Sequence, residues 1–364
     1  MSDTGIARAR YQGLVAARRW THDPARPRAE FSLAVGDRLG ELTVIGHLAR
    51  GRAAELYQVW SNRHWCALTG KVVAPDHCRE GKIPPSFRKE EKVLARLRHP
   101  NIVQVFGSGK AGGRPYLLME YLAGPSLFDV LEGLPRRRLH VPDAVRAVMH
   151  VGAAVHYLHR CGFLYRDLKP ANIHLRDGVP VLLDFDVVWR MNPPRRPGDR
   201  QGTAPYMAPE QVLQEPLTPA TDVYGLGALL YELLTGKWSN EEPQDDDEAY
   251  WDEFEDDDEG EEAKAAVTAV APRSTGGTPR PLTPRELEQR YPQIKHPPVP
   301  PRQHNPQVTP ELEKLVMRAL ETDPGRRFQT VSGMLAALAP LLKGRNRLWP
   351  AEAPIERRAD TKTR

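Results

Sequence analysis

The chain has few of the features that mark secreted or membrane proteins. It has only three cysteines, Cys66, Cys78 and Cys161, which form neither a CxxC pair nor an even-numbered framework. This usage is typical of a reducing compartment and offers no ligand set for structural zinc. No apolar run approaches the roughly 20 residues of a membrane span, and the arginine-dotted N-terminus lacks the apolar core of a signal peptide. We therefore expect a soluble, cytoplasmic protein without membrane contact.

Charge is unevenly distributed along the 364 residues. The net charge is only +4, but residues 241–262 hold 15 acidic side chains and no basic one, so the remainder is strongly basic. A basic protein can bind nucleic acid through its phosphates. Here the basic residues are scattered, with short clusters at 136–138 and 195–196, so nucleic-acid binding is not favoured. The acidic run could instead fold back on these clusters.

The first third of the chain reads as a flexible extension followed by a β-rich lobe. Residues 1–35 are rich in arginine, alanine and proline, and we expect a flexible basic extension with one helix over residues 6–20. The lobe at 36–122 contains one predicted helix, at 87–97, and five β-like runs. These runs are 42–45, 56–60, 66–73, 103–107 and 116–120.

Helices dominate the larger lobe, at 123–343. Residues 143–159 carry apolar side chains at three- and four-residue spacing, and residues 221–235 are almost entirely apolar, which predicts two buried helices. Two further amphipathic helices are predicted at 312–320 and 331–342. The pattern as a whole indicates an α+β fold with two lobes.

An insertion and a tail interrupt this pattern. Residues 238–282 are acidic and then rich in glycine, serine and proline. Such a composition buries too little apolar surface to offset chain ordering, so we expect a disordered insertion. It ends at Thr283, which begins a TPRE capping-box sequence. Residues 344–364 are predicted to form a C-terminal tail.

The most informative sequences are YRDLKPAN at 165–172 and LDFD at 183–186. They place Asp167, Lys169 and Asn172 within six residues, and Asp184 twelve residues later. Phosphoryl transfer from ATP needs this set of side chains. One carboxylate orients the attacking hydroxyl, a cation neutralises the moving phosphoryl group, and an amide oxygen and a second carboxylate hold metal ions.

This spacing resembles the catalytic and metal-binding loops of the eukaryotic-type (Hanks-type) Ser/Thr protein kinases, which also occur in bacteria. The resemblance implies a bilobal protein kinase fold with ATP between the lobes, and protein substrates with a Ser or Thr acceptor. It implies that Asp167 orients the substrate hydroxyl and that Lys169 stabilises the transferring group. Asn172 and Asp184 would bind Mg²⁺ through oxygen, the ligand atom this ion prefers.

The resemblance continues into the nucleotide-binding half. Lys71 would grip the ATP phosphates, paired with Glu90 or, less favourably by its offset to the HPN sequence at 99–101, with Glu91. Residues 117–122 resemble the hinge whose backbone bonds the adenine edge. The positions implied to line the nucleotide site are Leu48, Gly51, Leu56, Thr69, Lys71, Glu90, Met119, Glu120, Leu122, His174 and Asp184.

Downstream motifs discriminate among phosphotransferases. GTAPYMAPE at 202–210 resembles a peptide-docking segment, which small-molecule kinases usually lack. Asp222 is expected to bond the catalytic-loop backbone, and Arg327 is expected to pair with Glu210. The resemblance spans about 42–342, apart from the insertion.

The nucleotide loops depart from the family pattern at several positions. The glycine-rich loop keeps only Gly51, with Ala49 and Ala54 in place of the outer glycines, so we expect weaker phosphate clamping. Asp186 replaces the glycine after the metal-binding aspartate and could crowd or supplement the metal site.

Three further departures concern packing around the adenine and the catalytic loop. Tyr165 replaces the usual histidine, a packing role that an aromatic ring can fill. His174 and Thr69 place polar groups at the floor and roof of the adenine site, where the family has apolar ones.

The segment 187–202 contains no serine, threonine or tyrosine. In the family, Arg166 would pair with a phosphate there, so activation by phosphorylation of this loop is not expected. Our hypothesis is that the acidic segment 241–262, or an acidic partner, docks on this basic loop in place of the phosphate. The alternative is a solvated acidic loop.

Two function classes remain. The first is a Ser/Thr protein kinase, because all six side chains expected to carry charge are present. The second is a pseudokinase that acts as a nucleotide-binding or scaffolding module, which Asp186, His174 and the degenerate glycine loop favour.

Overall fold

The computed structural model describes residues 31–51, 53–78, 84–191, 200–240 and 283–342. The helix predicted at 6–20, the acidic segment 241–262 and the tail from residue 344 lie outside these ranges. The expectations for them stay predictions.

The small lobe is built on one antiparallel sheet of six strands, in the order β1-β2-β3-β4-β6-β5. Alternating burial along the strands, as in β3, places one face on a core. The short edge strand β1 was not predicted, and β2 extends well beyond the predicted end at Ile45. The strands are β1 (Arg38–Leu39), β2 (Leu42–Arg50), β3 (Ala54–Ser61), β4 (Cys66–Val73), β5 (Val105–Ala111) and β6 (Arg114–Glu120).

One helix, α1 (Pro85–Leu94), packs beside this sheet and buries Phe87, Glu90, Val93 and Leu94. It ends three residues before the predicted end at 97, because Leu97 bonds the Leu94 carbonyl in a tight turn. Strand β5 also begins later than predicted.

The late start of β5 has a tertiary cause. The Val103 N–H bonds the Leu182 carbonyl of the large lobe at 3.0 Å, and Ile102 forms a parallel bridge with the same residue. Residues 102–103 are therefore drawn to the other lobe.

Residues 31–35 belong to the small lobe, so the boundary predicted at residue 36 is too late. The Phe31 ring stacks on His47 with centroids 4.3 Å apart. Glu55 is fully buried and accepts hydrogen bonds from the Ser32 hydroxyl at 2.5 Å and from Arg114 at 2.6 Å. A buried carboxylate needs such donors, and the chain before residue 36 provides two of them, the hydroxyl and the backbone N–H of Ser32.

The large lobe combines helices with two short two-stranded antiparallel sheets, in which β7 pairs with β10 and β8 pairs with β9. The strands are β7 (Phe163–Leu164), β8 (Ile173–Arg176), β9 (Val179–Leu182) and β10 (Trp189–Arg190). The helices are α2 (Leu127–Glu132), α3 (Val141–Arg160), α4 (Pro209–Val212), α5 (Pro219–Thr235), α6 (Pro284–Arg290), α7 (Pro301–His304), α8 (Pro310–Ala319) and α9 (Val331–Leu338). The expected two-lobed α+β architecture is confirmed.

Helices α3 and α5 form the centre of this lobe. Helix α3 buries the predicted apolar stripe, and every residue of α5 after its first proline is buried. Helix α5 ends at Gly236, whose φ of +75° favours glycine. A Cβ there would lie only 2.5 Å from the Arg136 carbonyl oxygen.

Two boundaries in the large lobe differ from the predictions. Helix α9 gives way to a 3₁₀ turn (Ala339–Leu342) because Pro340 has no N–H to continue the helix. Ser239 and Asn240, which were predicted to belong to the insertion, are buried. The capping box predicted at Thr283 is confirmed, and the Thr283 backbone N–H donates to Glu286 at 2.7 Å.

A buried ion pair ties the docking segment to the C-terminal helices. Arg327 is 1% exposed and donates to both carboxylate oxygens of Glu210, each at 2.8 Å. Its other N–H groups bond the carbonyls of Ala220, Glu321 and Thr322. This pair, predicted from the sequence, is confirmed.

None of the helices in the described ranges is long and apolar enough to cross a bilayer. All three cysteines are free thiols.

Glu232 on α5 makes the stability of the large lobe depend on pH. It accepts a hydrogen bond from the Tyr206 hydroxyl at 2.6 Å, and burial raises its pKa to about 7. The folded state therefore binds this proton more tightly than the unfolded state, and stability falls as pH rises from about 4.5 through about 7.

We predict that Glu232→Gln removes this loss, because an amide does not ionise. Urea unfolding at a series of pH values should show a flatter profile and a gain of up to about 3 kcal/mol at pH 8. The matched control is Glu215→Gln, which removes an exposed carboxylate and should leave the slope unchanged. A Glu232→Gln profile that parallels the wild-type curve would contradict this account.

Candidate active site

The small lobe contributes a buried lysine–glutamate pair to the cleft between the lobes. Lys71 lies on β4 and Glu90 on α1, and the Lys71 Nζ is 2.8 Å from the Glu90 Oε2. Both side chains are buried. Glu91, the alternative partner, accepts a hydrogen bond from the Ser108 hydroxyl instead. Of the two glutamates, Glu90 therefore forms the predicted contact.

The large lobe brings two further carboxylates to the same ammonium group. The Lys71 Nζ lies 3.2 Å from one oxygen of Asp184 and 3.0 Å from each oxygen of Asp186. Burial alone would lower the pKa of Lys71, but the three carboxylates hold it well above its ordinary value. Lys71 is therefore a permanent cation in this cleft.

The catalytic loop forms a second polar cluster around Asp167. One oxygen accepts hydrogen bonds from the Thr203 N–H at 3.0 Å and hydroxyl at 2.7 Å. The other lies 3.1 Å from the Lys169 Nζ and 2.8 Å from the Asn172 Nδ2. Burial would raise the pKa of Asp167, but Lys169 and the hydrogen bonds lower it below its ordinary value. The side chain is thus a hydrogen-bond acceptor at neutral pH.

Asp222 on α5 holds this loop in place. Its carboxylate accepts hydrogen bonds from the backbone N–H groups of Tyr165 and Arg166, both at 2.8 Å. His159 lies 2.7 Å from the same carboxylate. The expected bond to the catalytic-loop backbone is confirmed. It supports the left-handed conformation of Arg166, whose φ is +76°.

The two polar clusters are directly linked through residues 183–185, on either side of Asp184. The Leu183 N–H bonds the Asn172 carbonyl at 2.9 Å, and the Phe185 N–H points to Glu90 at 3.4 Å. The Tyr165 ring contacts Phe185 edge-to-face at 5.4 Å, so the predicted packing role of an aromatic residue at 165 is confirmed. Six predicted side chains are thus brought to one cleft, namely Lys71, Glu90, Asp167, Lys169, Asn172 and Asp184.

The predicted nucleotide-lining residues of the small lobe lie on its strands and on the turn between β2 and β3. Lys71 is on the central strand β4. Leu56 is its neighbour in the pairing of β3 with β4, and Thr69 on β4 pairs with Met119 on β6. Leu48 lies at a register irregularity of β2, and Gly51 lies at the turn between β2 and β3. The Gly51 N–H bonds the Ala54 carbonyl at 3.0 Å.

At the predicted hinge (Glu120 and Leu122) and at the adenine floor (His174), the side chains have different surroundings. The Glu120 carboxylate accepts hydrogen bonds from Arg176 and from the Gln104 N–H, so this side chain is already occupied. Leu122 packs half-buried against the core. Burial lowers the pKa of His174 on β8, which keeps its ring neutral and suited to stacking.

The donor set at Asn172 and Asp184 fits a magnesium ion. Asn172 uses its amide nitrogen to donate to Asp167, which leaves its amide oxygen available as a ligand. The Asp184 side chain is 44% exposed toward the cleft and has a φ of +51°. Oxygen ligands of this kind suit Mg²⁺.

A family profile described as "Protein kinase domain" matches residues 42–337. The chain belongs to the protein kinase domain family. Among curated relatives of this kinase domain, a probable serine/threonine-protein kinase of Streptomyces coelicolor is 29% identical over 306 residues, covering 82% of this chain and 39% of the relative. The serine/threonine-protein kinase PknB of Mycolicibacterium smegmatis is 30% identical, covering 75% and 38%.

Solved structures show the same fold. The crystal structure of the Mycobacterium tuberculosis PknI kinase domain superposes with a TM-score of 0.57 at 22% identity, covering 85% of this chain and 98% of that chain. The chain spans about two fifths of the length of the curated relatives that it matches.

Two contacts in this kinase domain were not predicted. Asp186 was expected either to crowd or to supplement the metal site, and the structure shows both of its oxygens facing Lys71. Thr203 was expected only as part of the peptide-docking segment 202–210, but its hydroxyl also accepts a hydrogen bond from Lys169 at 2.8 Å. Thr203 is the first residue with a hydroxyl group after 187–202, a segment that has no serine, threonine or tyrosine. This was the sequence feature that could have pointed to its role.

We predict that Asp222→Asn loosens the catalytic loop of this kinase domain. An amide nitrogen in place of one carboxylate oxygen would face a backbone N–H, leaving a buried donor without an acceptor, which costs about 1–3 kcal/mol. Hydrogen exchange at residues 165–166 should accelerate, and urea unfolding should show the lost stability. Asp76→Asn, at an exposed small-lobe site, is the control. Unchanged exchange at 165–166 in Asp222→Asn would show that the loop does not depend on this carboxylate.

Proposed function

We propose that this chain is a Ser/Thr protein kinase that transfers the γ-phosphoryl group of ATP to a hydroxyl group of a protein. One observation carries the proposal. The ionised Asp167 cluster and the Lys71–Glu90 pair lie in one cleft and are joined through hydrogen bonds of the 183–185 segment. This arrangement provides a hydroxyl-orienting carboxylate on one side and a phosphate-binding cation on the other.

In the proposed reaction, Asp167 accepts a hydrogen bond from the substrate hydroxyl and orients its oxygen toward the γ-phosphorus. The new O–P bond forms in line with the bond to the β–γ bridging oxygen, which breaks and releases ADP. The hydroxyl proton passes toward Asp167. There is no covalent enzyme intermediate, so the chain's contribution is positioning and charge stabilisation.

Two lysines would stabilise negative charge at different phosphate groups of the nucleotide. Lys169 lies beside Asp167, where it would stabilise negative charge on the transferring group. Lys71, fixed by Glu90, would bind the phosphates that remain with the nucleotide. A magnesium ion held by Asn172 and Asp184 would neutralise phosphate charge.

A peptide-type substrate is supported by the segment that follows the catalytic loop. Thr203 connects this segment to Asp167 and Lys169, and the 3₁₀ turn Ala204–Tyr206 continues into α4. The Glu210–Arg327 pair anchors α4 in the core. A rigid docking surface therefore begins at the catalytic aspartate.

We predict that Asp167→Asn reduces phosphate transfer at least a hundredfold, because an amide orients a hydroxyl poorly and accepts no proton. The assay uses Mg²⁺, labelled ATP and a generic basic protein, followed by phosphoamino-acid analysis for phosphoserine and phosphothreonine. Asp177→Asn, at an exposed turn, should retain wild-type transfer.

Three outcomes of this assay discriminate among the candidate functions. Loss of transfer in Asp167→Asn alone supports the kinase. Equal background incorporation in wild type and both variants would favour the pseudokinase, a nucleotide-binding or scaffolding module. Product found only on tyrosine would overturn the substrate class.

We also propose that the acidic segment 241–262 docks on the basic loop 187–202 in place of a phosphate. The flank that follows the insertion supports this. Gln293 donates to the carbonyls of Ala204 and Met207 at 2.7 and 3.2 Å, and Tyr291 packs in one cluster with both. The returning chain is therefore anchored beside the docking segment.

Replacing residues 241–262 by a glycine–serine segment of equal length should lower activity and raise hydrogen exchange at 187–202. A matched variant with the 15 acidic residues changed to their amides separates charge from chain length. High salt should reproduce the effect in the wild type, because screening weakens exposed pairs. Unchanged activity and exchange in both variants would leave the segment as a solvated loop.

A cytoplasmic location is part of the proposal and rests on the cysteines. All three are free thiols in the structure, which is the usual state in a reducing compartment.

A further inference from the structure

The Lys71 ammonium group has no donor left for a phosphate. An ammonium group carries three N–H donors. Three carboxylates, those of Glu90, Asp184 and Asp186, contact its Nζ at distances of 2.8 to 3.2 Å. A phosphate oxygen must therefore displace one of these carboxylates to bind Lys71.

Asp186 is the carboxylate that competes most directly with a phosphate for the Lys71 ammonium group. Both of its oxygens lie 3.0 Å from the Nζ, whereas Asp184 offers one oxygen at 3.2 Å. Glu90 is only 1% exposed and is fixed within α1. The Asp186 side chain is 25% exposed and that of Asp184 is 44% exposed, so both can turn toward water, but only Asp186 covers the Nζ with both of its oxygens.

The charge balance adds to this competition. With all three carboxylates ionised, one positive charge faces three negative charges, and an incoming phosphate would meet an excess of like charge. Removal of the Asp186 charge would lower this repulsion and free a donor in one step.

A metal ion is not the natural occupant of this carboxylate cluster. Oxygens of Glu90, Asp184 and Asp186 lie within 4.8 Å of one another, a spacing that could hold a cation. The Lys71 Nζ contacts all three, so the ammonium group already serves as their common cation.

We propose that Asp186 is an internal competitor for the phosphate-binding lysine, so that nucleotide phosphates bind only by displacing its carboxylate from Lys71. The inference rests on the proposed function, because it takes the cleft to be a nucleotide site. Asp186 then sets the affinity for the phosphate part of the nucleotide and leaves the affinity for the adenosine part unchanged.

The test compares wild type with Asp186→Asn, which keeps the size of the side chain but removes its charge. Asp186→Gly, the residue that the family pattern has here, is the second variant in case the amide perturbs folding. Calorimetry measures the Kd of ADP and of adenosine, each with excess chelator and with excess Mg²⁺, and thermal unfolding checks that each variant is folded. Asp76→Asn, at an exposed site outside the cleft, controls for the loss of one negative charge from the protein.

We expect both Asp186 variants to bind ADP about tenfold more tightly without metal, the effect of one additional charge-assisted hydrogen bond. The affinity for adenosine should stay unchanged, and Asp76→Asn should bind like wild type. This pattern would not arise from a structural role of Asp186, which would alter both ligands.

Other outcomes overturn the inference in distinguishable ways. ADP binding that is equal to wild type, or weaker only with Mg²⁺, would show that Asp186 does not compete or that it is a metal ligand, and would leave the proposed kinase intact. No ADP binding by wild type or by either Asp186 variant would overturn both the inference and the proposed function.

Discussion

A single buried ammonium group determines how the two lobes meet. Lys71 comes from the small-lobe sheet, Glu90 from α1, and Asp184 and Asp186 from the large lobe, and all converge on one nitrogen. Buried carboxylates are costly unless a counter-charge or donor faces them. The positions of α1 and of the 184–186 segment are therefore set by the need to remain within reach of this cation.

In the large lobe, hydrogen bonds from neighbouring segments hold the polar catalytic loop in place. Asp222 satisfies two backbone donors of the loop, and Thr203 links it to the docking segment. Arg166 donates to the Val187 carbonyl at 3.3 Å and stacks over Trp189 at 5.3 Å. Neutral groups therefore support the loop on the side of Arg166.

Sequence patterns predicted contacts wherever several residues at fixed spacing act together. The Lys71–Glu90 and Glu210–Arg327 contacts and the role of Asp222 were implied by the resemblance to Ser/Thr protein kinases, because a family pattern carries the distant partner of each residue along with its motif. The orientation of Asp186 did not follow, because it depends on competition among charges in three dimensions. Helix ends such as that of α1 also depended on tertiary contacts that periodicity does not record.

The anchoring of Ser32 on Glu55 has a consequence for where the folded unit starts. The family match begins at residue 42, yet the Glu55 carboxylate, deep in the sheet, takes two hydrogen bonds from Ser32. Phe31 and Leu33 also cover the apolar residues of the same cluster. A polypeptide trimmed to the aligned segment would uncover that cluster and deprive an interior anion of two donors, so an intact kinase unit of this chain includes Phe31, Ser32 and Leu33.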